Sequence, residues 1–434
     1  MKKIKIGVLG LYRGTSMINF CHKAENVELV AICDKWVEGV ERKKKQLNDP
    51  SITFYSSFDE FLNHDMDAVV LANYANEHAP FAVRCLKKGL HVFSEVMPVQ
   101  TMQEAVNLVE AVEESGKVYA YGENYCYMAA PREMRKLYWE GKIGEFEYGE
   151  GEYIHNCIPI WPSLTYGDPD HWRNNMYSTF YCTHSLGPII HITGLRPVSV
   201  IGIESTKNAR KMAVGSKSGL FGMELVTLEN GGIVKSIHGD LYRGSVWYTL
   251  YGSMGRLESS RWVQGPGGTE TIHTDLDEYP DQNQHTHDCM ESYQPASKYA
   301  AEEAAFGHGG SDFHSMLNFI KKIQGDPEAD TIDVYEALDM FLPGLFAYRS
   351  ILAGSIPMEI PNLRDKAVRD HYRNDTACTD PKVAVDQLQP TCSLGTPEID
   401  AKVYDIVKQR WAEEFAAGKG RAVQYLGTGK EDED

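Results

Sequence analysis

The stretch KIKIGVLG, residues 3–10, predicts the fold of the first part of the chain. Its apolar residues form a short strand that ends at Gly10, and residues 17–23 continue with helical spacing. A strand, a glycine turn and a helix together open a mononucleotide-binding unit. The glycine pattern is incomplete, because Tyr12 and Thr15 stand where GxGxxG has its later glycines and Gly14 is out of register. The motif by itself is therefore weak support.

A carboxylate at the end of the second predicted strand strengthens this interpretation. The strand VELVAICD ends at Asp34, 24 residues after Gly10. A dinucleotide fold places a carboxylate near this point, where it binds the adenosine ribose hydroxyls. The same carboxylate would repel a 2′-phosphate, so the sequence favours NAD over NADP.

Strands and helices then alternate as far as residue 124. This regular order predicts an α/β fold with a doubly wound parallel sheet, which binds ligands at the carboxyl ends of its strands. Any one polar residue after a strand could be an ordinary loop residue, but several together indicate a binding edge. The predicted strands are residues 67–72, 91–95 and 117–122, the helices are 77–89 and 101–116, and the polar residues are Asn73, Asn76, His78, Glu95, Glu123 and Asn124.

The second part of the chain has a different pattern, with longer stretches in which apolar and polar residues alternate. Such alternation predicts an α+β domain with an open, mostly antiparallel sheet that exposes one face. The segment 156–175 is too rich in Pro, Asp and Trp for regular structure, and we expect an ordered loop over the cleft. We divide the chain into a Rossmann domain (1–124), a substrate and oligomerisation domain (125–365) with helices at 310–323 and 333–353, and a C-terminal extension (366–434) that is loop-like to 395 and ends in a helix at 398–416.

Composition excludes several classes of protein. The 434 residues carry a formal net charge of -18, which repels phosphate backbones and anionic lipid surfaces. We therefore expect neither a nucleic-acid partner nor a membrane partner. No window is apolar enough to span a bilayer, and the nine cysteines form no CxxC pair. A cytoplasmic enzyme or binding protein is the expectation.

The stretch YCTHSLGPIIHITG, residues 181–194, contains the most informative histidine. If a helix starts near Ser185, Pro188 falls in its first turn and His184 lies at the helix entrance. The helix dipole there favours a neutral imidazole, which can accept a proton. A structural histidine is the competing interpretation at this stage. His191 lies two turns further on and is predicted to form a hydrogen bond in the core.

Two other kinds of site have weaker support. His285, His287 and Cys289 alternate within a loop-like segment, so we predict no metal site there. No GxSxG elbow supports a serine hydrolase. His308 lies in the glycine-rich helix entry GHGGSDFHS and could cap the helix, pack or contact a ligand.

Taken together, these segments resemble the Gfo/Idh/MocA family of NAD(P)-dependent oxidoreductases over residues 3–360. The resemblance rests on GVLG, ICD, the 73–78 loop, GLHVFSEV, GKIGEFEYGEG and GHGGSDF. Within the family the chain is similar to the NAD-dependent α-N-acetylgalactosaminidase glycosidases. That closer likeness rests on Arg13-Gly14, Glu95-Val96, Glu123-Asn124, Tyr153-Ile154-His155, His171-Trp172-Arg173 and the Tyr-x-Thr-His-x-Leu-Gly-Pro pattern of residues 181–188.

The resemblance implies a set of site residues. Ordinary family members have Glu-Lys-Pro where this chain has Glu95-Val96-Met97-Pro98, so the proton transfer that the lysine assists would pass to His184 or Tyr181. The implied NAD site comprises Gly10, Tyr12, Arg13, Gly14, Asp34, Asn73, Asn76, His78, Glu95, Val96 and Asn124. The implied catalytic residues are His184, Tyr181 and Tyr153, with Arg173, Thr183, His155 and His308 binding substrate.

The resemblance also implies a function. We expect an enzyme that oxidises a pyranoside at carbon three within a redox-neutral cycle of oxidation, elimination, hydration and reduction. One alternative is a plain NAD-dependent sugar, glycoside or cyclitol dehydrogenase, and another is a non-catalytic NAD or sugar sensor. Family likeness further implies a homo-oligomer, a dimer or tetramer, built through the open sheet.

Overall fold

Two β-sheets organise the chain. The structure, a computed structural model, describes residues 3–261, 269–277 and 290–419. His285, His287 and Cys289 and the last fifteen residues of the chain lie outside these residues. None of the described helices is both long and apolar enough to cross a membrane.

The first sheet has six parallel strands in the order β3-β2-β1-β4-β5-β6, which confirms the predicted doubly wound fold. Helices cover both faces, so its central strands are almost entirely apolar and buried. The strands are β1 (Ile4–Leu9), β2 (Val27–Cys33), β3 (Thr53–Tyr55), β4 (Ala68–Leu71), β5 (His91–Ser94) and β6 (Tyr119–Tyr121). The helices are α1 (Thr15–Lys23), α2 (Val37–Leu47), α3 (Phe58–Phe61), α4 (His78–Lys87) and α5 (Met102–Ser115).

The second sheet has nine strands and is antiparallel except where β10 pairs with β7, so the predicted open, mostly antiparallel sheet is also confirmed. Its order is β14-β13-β12-β11-β7-β10-β9-β8-β15. The helices are α6 (Ala129–Trp139), α7 (Trp161–Thr165), α8 (Thr183–Thr193), α9 (Ala209–Met212), α10 (Ala300–Glu303), α11 (Ser311–Ile323), α12 (Val334–Leu352), α13 (Lys366–Tyr372) and α14 (Ala401–Ala416). The strands are β7 (Phe146–Ile154), β8 (Pro197–Glu204), β9 (Phe221–Leu228), β10 (Ile233–Gly239), β11 (Ser245–Gly252), β12 (Gly255–Ser259), β13 (Ile272–Leu276), β14 (Met290–Tyr293) and β15 (Met358–Glu359).

Helices cover one face of the second sheet. Every residue of α8 is buried, and α12 packs beside it against the same face. The opposite face carries exposed apolar side chains on neighbouring strands, among them Ile203, Leu225 and Ile233. Helix α11 returns to the first sheet, where its Phe313, Met316 and Phe319 enter the Rossmann core. The two sheets are therefore tied together by chain that crosses from one to the other.

The C-terminal extension begins differently from its prediction. Residues 366–395 were predicted as loop, but the structure has helix α13 over Lys366–Tyr372. Asp365 caps this helix, and the buried Arg369 donates two hydrogen bonds of 2.7 Å to Glu113 on α5. A seven-residue helix is too short to be stable alone, so α13 depends on this contact with α5. Glu113 is 256 residues from Arg369 in the chain, and the local sequence therefore does not reveal the helix.

A buried charged cluster holds the C-terminal half of α8. His191 is 1% exposed, with its Nδ1 at 2.7 Å from Glu336 Oε1 and its Nε2 at 3.3 Å from Asp330 Oδ2. Burial alone would lower the pKa of His191, but the two carboxylates outweigh it and raise the pKa to about 9. His191 is therefore a structural imidazolium at neutral pH.

We expect the contribution of His191 to stability to depend on pH. Because its pKa is raised on folding, the stabilisation is complete below the unfolded value near 6.5 and is lost as the pH rises through about 9. The free energy of unfolding of wild type should exceed that of His191→Gln by roughly 2 kcal/mol at pH 6 and by much less at pH 10. Urea titrations at both pH values measure this difference. Replacement of the half-exposed His22 by Gln is the control, and a difference for His191→Gln that is constant with pH would contradict the assignment.

Candidate active site

A large cavity lies between the two sheets. Its volume is about 870 Å³, within the range of small-molecule sites. The carboxyl ends of β1, β2, β4 and β5 form one wall. Strand β7, the start of α8 and the segment 156–175 form the other wall. The segment 156–175 therefore lies at the cleft, as predicted.

The glycine turn after β1 is built on close backbone contacts. Gly10 has a φ of 100°, and a Cβ on it would lie 2.4 Å from the Ala72 carbonyl oxygen. A Cβ on Gly14 would lie 2.0 Å from the Gly10 carbonyl oxygen. The Leu11 amide donates a 2.7 Å hydrogen bond to Asp34 Oδ2. These contacts explain why glycine is needed at 10 and 14, and why Tyr12 can occupy the middle position in the cavity wall.

A charged cluster anchors this turn to the second half of the chain. Arg13 donates hydrogen bonds of 2.7 and 2.6 Å to the two carboxylate oxygens of Asp312 on α11, and its Nη2 lies 2.8 Å from Glu95 Oε1. His308 Nδ1 lies 3.2 Å from Asp312 Oδ2. Burial would raise the pKa of Asp312, but Arg13 and His308 hold it well below its usual range. Burial raises the pKa of Glu95 to about 7 despite Arg13.

The predicted NAD residues fall into two groups. The first group lines the cavity and comprises Gly10, Tyr12, Arg13, Asp34, Asn73, Glu95, Val96 and Asn124. The second group, Gly14, Asn76 and His78, is not in the cavity wall. His78 Nδ1 lies 2.9 Å from the Met97 carbonyl oxygen, and burial lowers its pKa to about 4. A neutral His78 thus supports the strand ends from behind.

The cavity wall has the features that a dinucleotide requires. The close-packed turn at Gly10 leads into the N-terminus of α1, which favours phosphate. Asn73 donates its amide hydrogen to Glu77 at 3.1 Å, but its buried Oδ1 has no hydrogen-bond partner among the described residues. Asp34 has the position expected for a ribose-binding carboxylate. These residues fit NAD.

Helix α8 begins at Thr183, two residues before the predicted start near Ser185, so Pro188 lies in its second turn. A proline in that position leaves the carbonyl four residues earlier without its usual amide donor. The Tyr248 hydroxyl on β11 supplies the missing hydrogen bond, at 2.7 Å from the His184 carbonyl oxygen. This tertiary contact allows the helix to start early, and it fixes the backbone of His184.

His184 is paired with a carboxylate that sequence analysis had placed at the binding edge without assigning it a role. Its Nδ1 lies 2.8 Å from Oε1 of Glu123, which is fully buried after β6, and Thr183 donates a 2.8 Å hydrogen bond to Oε2. A carboxylate accepts hydrogen bonds, so Nδ1 carries the hydrogen and Nε2 is left as the acceptor. Thr183 itself is not in the cavity wall, whereas His184 is. The signal for Glu123 was its place after a parallel strand, beside Asn124.

Three tyrosines surround the imidazole of His184. Its ring centroid is 4.6 Å from that of Tyr153, 4.8 Å from Tyr125 and 5.7 Å from Tyr181. The Tyr153 hydroxyl lies 2.9 Å from His155 Nδ1. The structure therefore brings together the three predicted catalytic residues, along with Tyr125, which was not predicted.

The electrostatic surroundings of two of these phenols differ. Burial raises the pKa of Tyr153 well above its usual value, and the neighbouring Tyr125, Cys157 and Tyr181 raise it further. Burial also raises the pKa of Tyr181, but the Arg173 guanidinium opposes that shift. The guanidinium carbon of Arg173 is 5.5 Å from the Tyr181 ring centroid and 4.5 Å from the Trp172 ring centroid. Both phenols are protonated at neutral pH, and Arg173 holds Tyr181 from one side.

The far end of the cavity contains charged residues that sequence analysis missed. The ammonium group of Lys211 forms an ion pair with Asp240 and lies 4.4 Å from the Trp161 ring centroid. His238 on β10 also lines the cavity, and burial lowers its pKa to about 3. Isolated polar residues in an irregular segment or on a sheet gave no local signal. Within residues 3–261, 269–277 and 290–419, no cluster of histidine, cysteine and acidic side chains could hold a metal ion.

Two family models match separate parts of the chain. A family model described as the NAD-binding Rossmann fold of the oxidoreductase family matches residues 4–123. A second model, described as the C-terminal domain of glycosyl hydrolase 109, matches residues 252–368.

Individual relatives point to the same families. The chain is 26% identical over 396 residues to a glycosyl hydrolase family 109 protein of Solibacter usitatus, covering 83% of this chain and 88% of that one. It is 29% identical over 202 residues to an alpha-N-acetylgalactosaminidase of Shewanella oneidensis, covering 44% of each chain. The crystal structure of myo-inositol 2-dehydrogenase from Lactobacillus plantarum has the same fold, with a TM-score of 0.62 at 18% identity over 83% of this chain and 100% of that one. This chain is therefore an enzyme with a Rossmann domain of the Gfo/Idh/MocA oxidoreductase type at residues 4–123 and a segment, residues 252–368, that matches the C-terminal domain of glycosyl hydrolase 109.

Proposed function

We propose that this enzyme is an NAD-dependent glycosidase that acts on a pyranoside by oxidation at carbon three, elimination, hydration and reduction. The observation that carries the proposal is the buried Glu123–His184 pair at the cavity wall. Val96 occupies the position where ordinary family members have a lysine. In the proposed mechanism His184, which lines the cavity, acts as the base in place of that lysine. The names of the relatives support a glycoside as substrate.

NAD rather than NADP is the proposed cofactor. When bound, the nicotinamide supplies the hydride acceptor and, later in the same turnover, the hydride donor. Both oxygens of Asp34 already accept backbone hydrogen bonds, from Leu11 and Trp36, so the carboxylate is held at the end of β2. A 2′-phosphate placed there would meet this fixed negative charge.

His184 takes the proton of the carbon-three hydroxyl in the proposed mechanism. Glu123 fixes the imidazole in the tautomer whose Nε2 is free to accept, and it stabilises the imidazolium that forms. The hydrogen bond from Tyr248 to the His184 carbonyl holds the backbone while the ring changes charge. Glu123 is fully buried, and only 6% of His184 is exposed.

Tyr153 and His155 remove the carbon-two hydrogen in the proposed mechanism. A carbonyl at carbon three acidifies that hydrogen, so a base of modest strength suffices. The Tyr153 phenol is too weakly acidic to ionise alone, since burial raises its pKa well above the usual value. The Tyr153 hydroxyl lies 2.9 Å from His155 Nδ1. In the proposed step His155 accepts the phenol proton while the phenol oxygen accepts the carbon-two proton. Arg173 and Tyr181, which also line the cavity, orient the sugar.

We expect aryl glycoside cleavage without net change in NAD. A panel of p-nitrophenyl pyranosides, including the α-N-acetylgalactosaminide, should release p-nitrophenol over many turnovers with no accumulation of NADH at 340 nm. In D₂O the product should carry deuterium at carbon two, because the hydrogen removed there exchanges with solvent before its return. Direct hydrolysis without oxidation leaves carbon two unlabelled, and one NADH formed per sugar consumed would establish a plain dehydrogenase.

Removal of the Glu123 charge should slow the reaction by a factor of roughly 10² or more, because the imidazole loses the partner that orients it. Glu123→Gln and His184→Gln should both retain bound NAD, and in a single turnover both should reduce it more slowly than wild type by about the same factor. Glu147→Gln, an exposed substitution on β7, is the matched control. Equal turnover for Glu123→Gln and wild type would remove the pair from the mechanism.

We also propose that the exposed face of the second sheet joins copies of this chain into a homo-oligomer. Ile203, Leu225 and Ile233 are between 39% and 45% exposed on the adjacent strands β8, β9 and β10. A patch of apolar side chains on a sheet face is unusual on a monomer and typical of an interface.

A charge in the centre of this patch should dissociate the oligomer. We expect sedimentation velocity to show wild type as a dimer or tetramer and Leu225→Arg as a smaller species with unchanged circular dichroism. Leu388→Arg, at an exposed position of the C-terminal extension, should sediment as wild type does. A monomeric wild type would contradict the proposal.

A further inference from the structure

Helix α14 lies beyond both segments matched by family models, yet it reaches the cavity. The model of the second domain ends at residue 368, whereas α14 comprises Ala401–Ala416. Trp411, in the last third of the helix, is one of the residues that line the cavity. The C-terminal extension therefore contributes to the proposed active site.

The helix is docked closely on the loops of the second domain. A Cβ on Gly167 would lie 2.5 Å from the Lys408 amide nitrogen, and one on Gly215 would lie 2.6 Å from the Tyr404 ring. The Tyr404 hydroxyl donates a 3.2 Å hydrogen bond to the Gly215 carbonyl oxygen. Glycines at these two points allow the helix to approach the loops at backbone distance.

The same helix also contacts the Rossmann domain. The Phe415 ring centroid is 5.9 Å from that of Trp36, and the guanidinium carbon of Arg42 is 4.8 Å from the Phe415 ring. Trp36 lies two residues after Asp34, which follows β2, and Arg42 is on α2. The C-terminal helix thus bridges the two domains at the end of the cavity that holds the ribose-binding carboxylate.

Four aromatic side chains, Trp36, Tyr166, Trp411 and Phe415, form what we call the aromatic cover. Trp411 connects them, with its ring centroid 5.3 Å from Tyr166 and 5.8 Å from Phe415. Its indole nitrogen Nε1 is buried, and no acceptor for its hydrogen exists among the described residues. A buried donor without a partner costs free energy, so its presence in a cavity wall indicates an acceptor on a ligand.

We propose that Trp411 and the aromatic cover bind the adenosine half of NAD, so that α14 retains the cofactor through successive turnovers. Adenosine has both an aromatic face and several ring and ribose acceptors, which match a tryptophan that offers a ring and an N–H. The inference rests on the proposed NAD site. It explains why a helix outside both domains is positioned over the cavity beside Asp34.

The test measures cofactor release in the full-length protein. Protein loaded with ¹³C-labelled NAD⁺ is mixed with a large excess of unlabelled NAD⁺, and the label that stays on the protein is followed by mass spectrometry. Wild type should release the label slowly, and Trp411→Ala should release it roughly tenfold faster or more, as expected for loss of one aromatic contact and one hydrogen bond. Ile406→Ala, at an exposed position of the same helix, should behave as wild type does.

Two further variants separate local from global effects. Trp411→Phe retains an aromatic ring and lacks the N–H, so its release rate should lie between those of wild type and Trp411→Ala. Phe415→Ala removes the contact to Trp36 and should also accelerate release. Unchanged thermal unfolding of the NAD-free variants shows that the fold is intact.

The outcomes distinguish this inference from the proposed function. Equal release rates for wild type, Trp411→Ala and Phe415→Ala would overturn the role of α14 even if the enzyme cleaves glycosides. Fast release by Trp411→Ala supports it even if the enzyme proves to be a plain dehydrogenase. A wild-type protein that binds no NAD overturns both.

Discussion

The buried carboxylate of Glu123 is the constraint on which the two halves of the molecule depend. It lies at the end of the last Rossmann strand and accepts hydrogen bonds from the Tyr125 amide, the Thr183 hydroxyl and His184. A charge without solvent is stable only when such donors surround it, since its desolvation costs several kcal/mol. Helix α8 must therefore begin where it does, with His184 facing the cavity and its remaining residues filling the core beneath the second sheet.

A second ion pair completes the connection from the opposite direction. Arg13 on the glycine turn and Asp312 on α11 are 299 residues apart, and α11 carries apolar residues into the Rossmann core. The dinucleotide turn and the second domain's return helix consequently share one buried charge pair. A shift of either element would separate Asp312 or Glu95 from Arg13 and leave a buried carboxylate without its cation. The free-energy cost of that separation opposes opening of the cleft at this point.

The sequence predicted most of the fold, and its failures have physical causes. Short runs of apolar residues revealed β1, β2, β4, β5 and β6, because parallel strands that are buried on both faces are apolar along most of their length. Helix α2 escaped notice because most of its residues are polar or charged, and strand β3 because it has only three residues, none of them buried. Cavity residues at strand ends, such as Asp34 and Asn73, were predictable from topology. Pairings between residues distant in the chain, such as Glu123 with His184, depend on tertiary structure and left no local signal.

Retention of the cofactor is a kinetic requirement of a redox-neutral cycle. With a turnover of about 10 s⁻¹ and association near 10⁶ M⁻¹s⁻¹, NAD leaves more slowly than the cycle runs only when its Kd is below about 10 µM. Loss of NAD⁺ between turnovers only delays the enzyme. Loss of NADH within a turnover leaves the sugar oxidised, because no hydride donor remains to reduce it. A dehydrogenase has the opposite need, because it must release NADH in every turnover. The proposed binding of the adenosine half by α14, argued from the packing of that helix against Trp36 and Tyr166, would therefore suit the glycosidase cycle and slow a dehydrogenase.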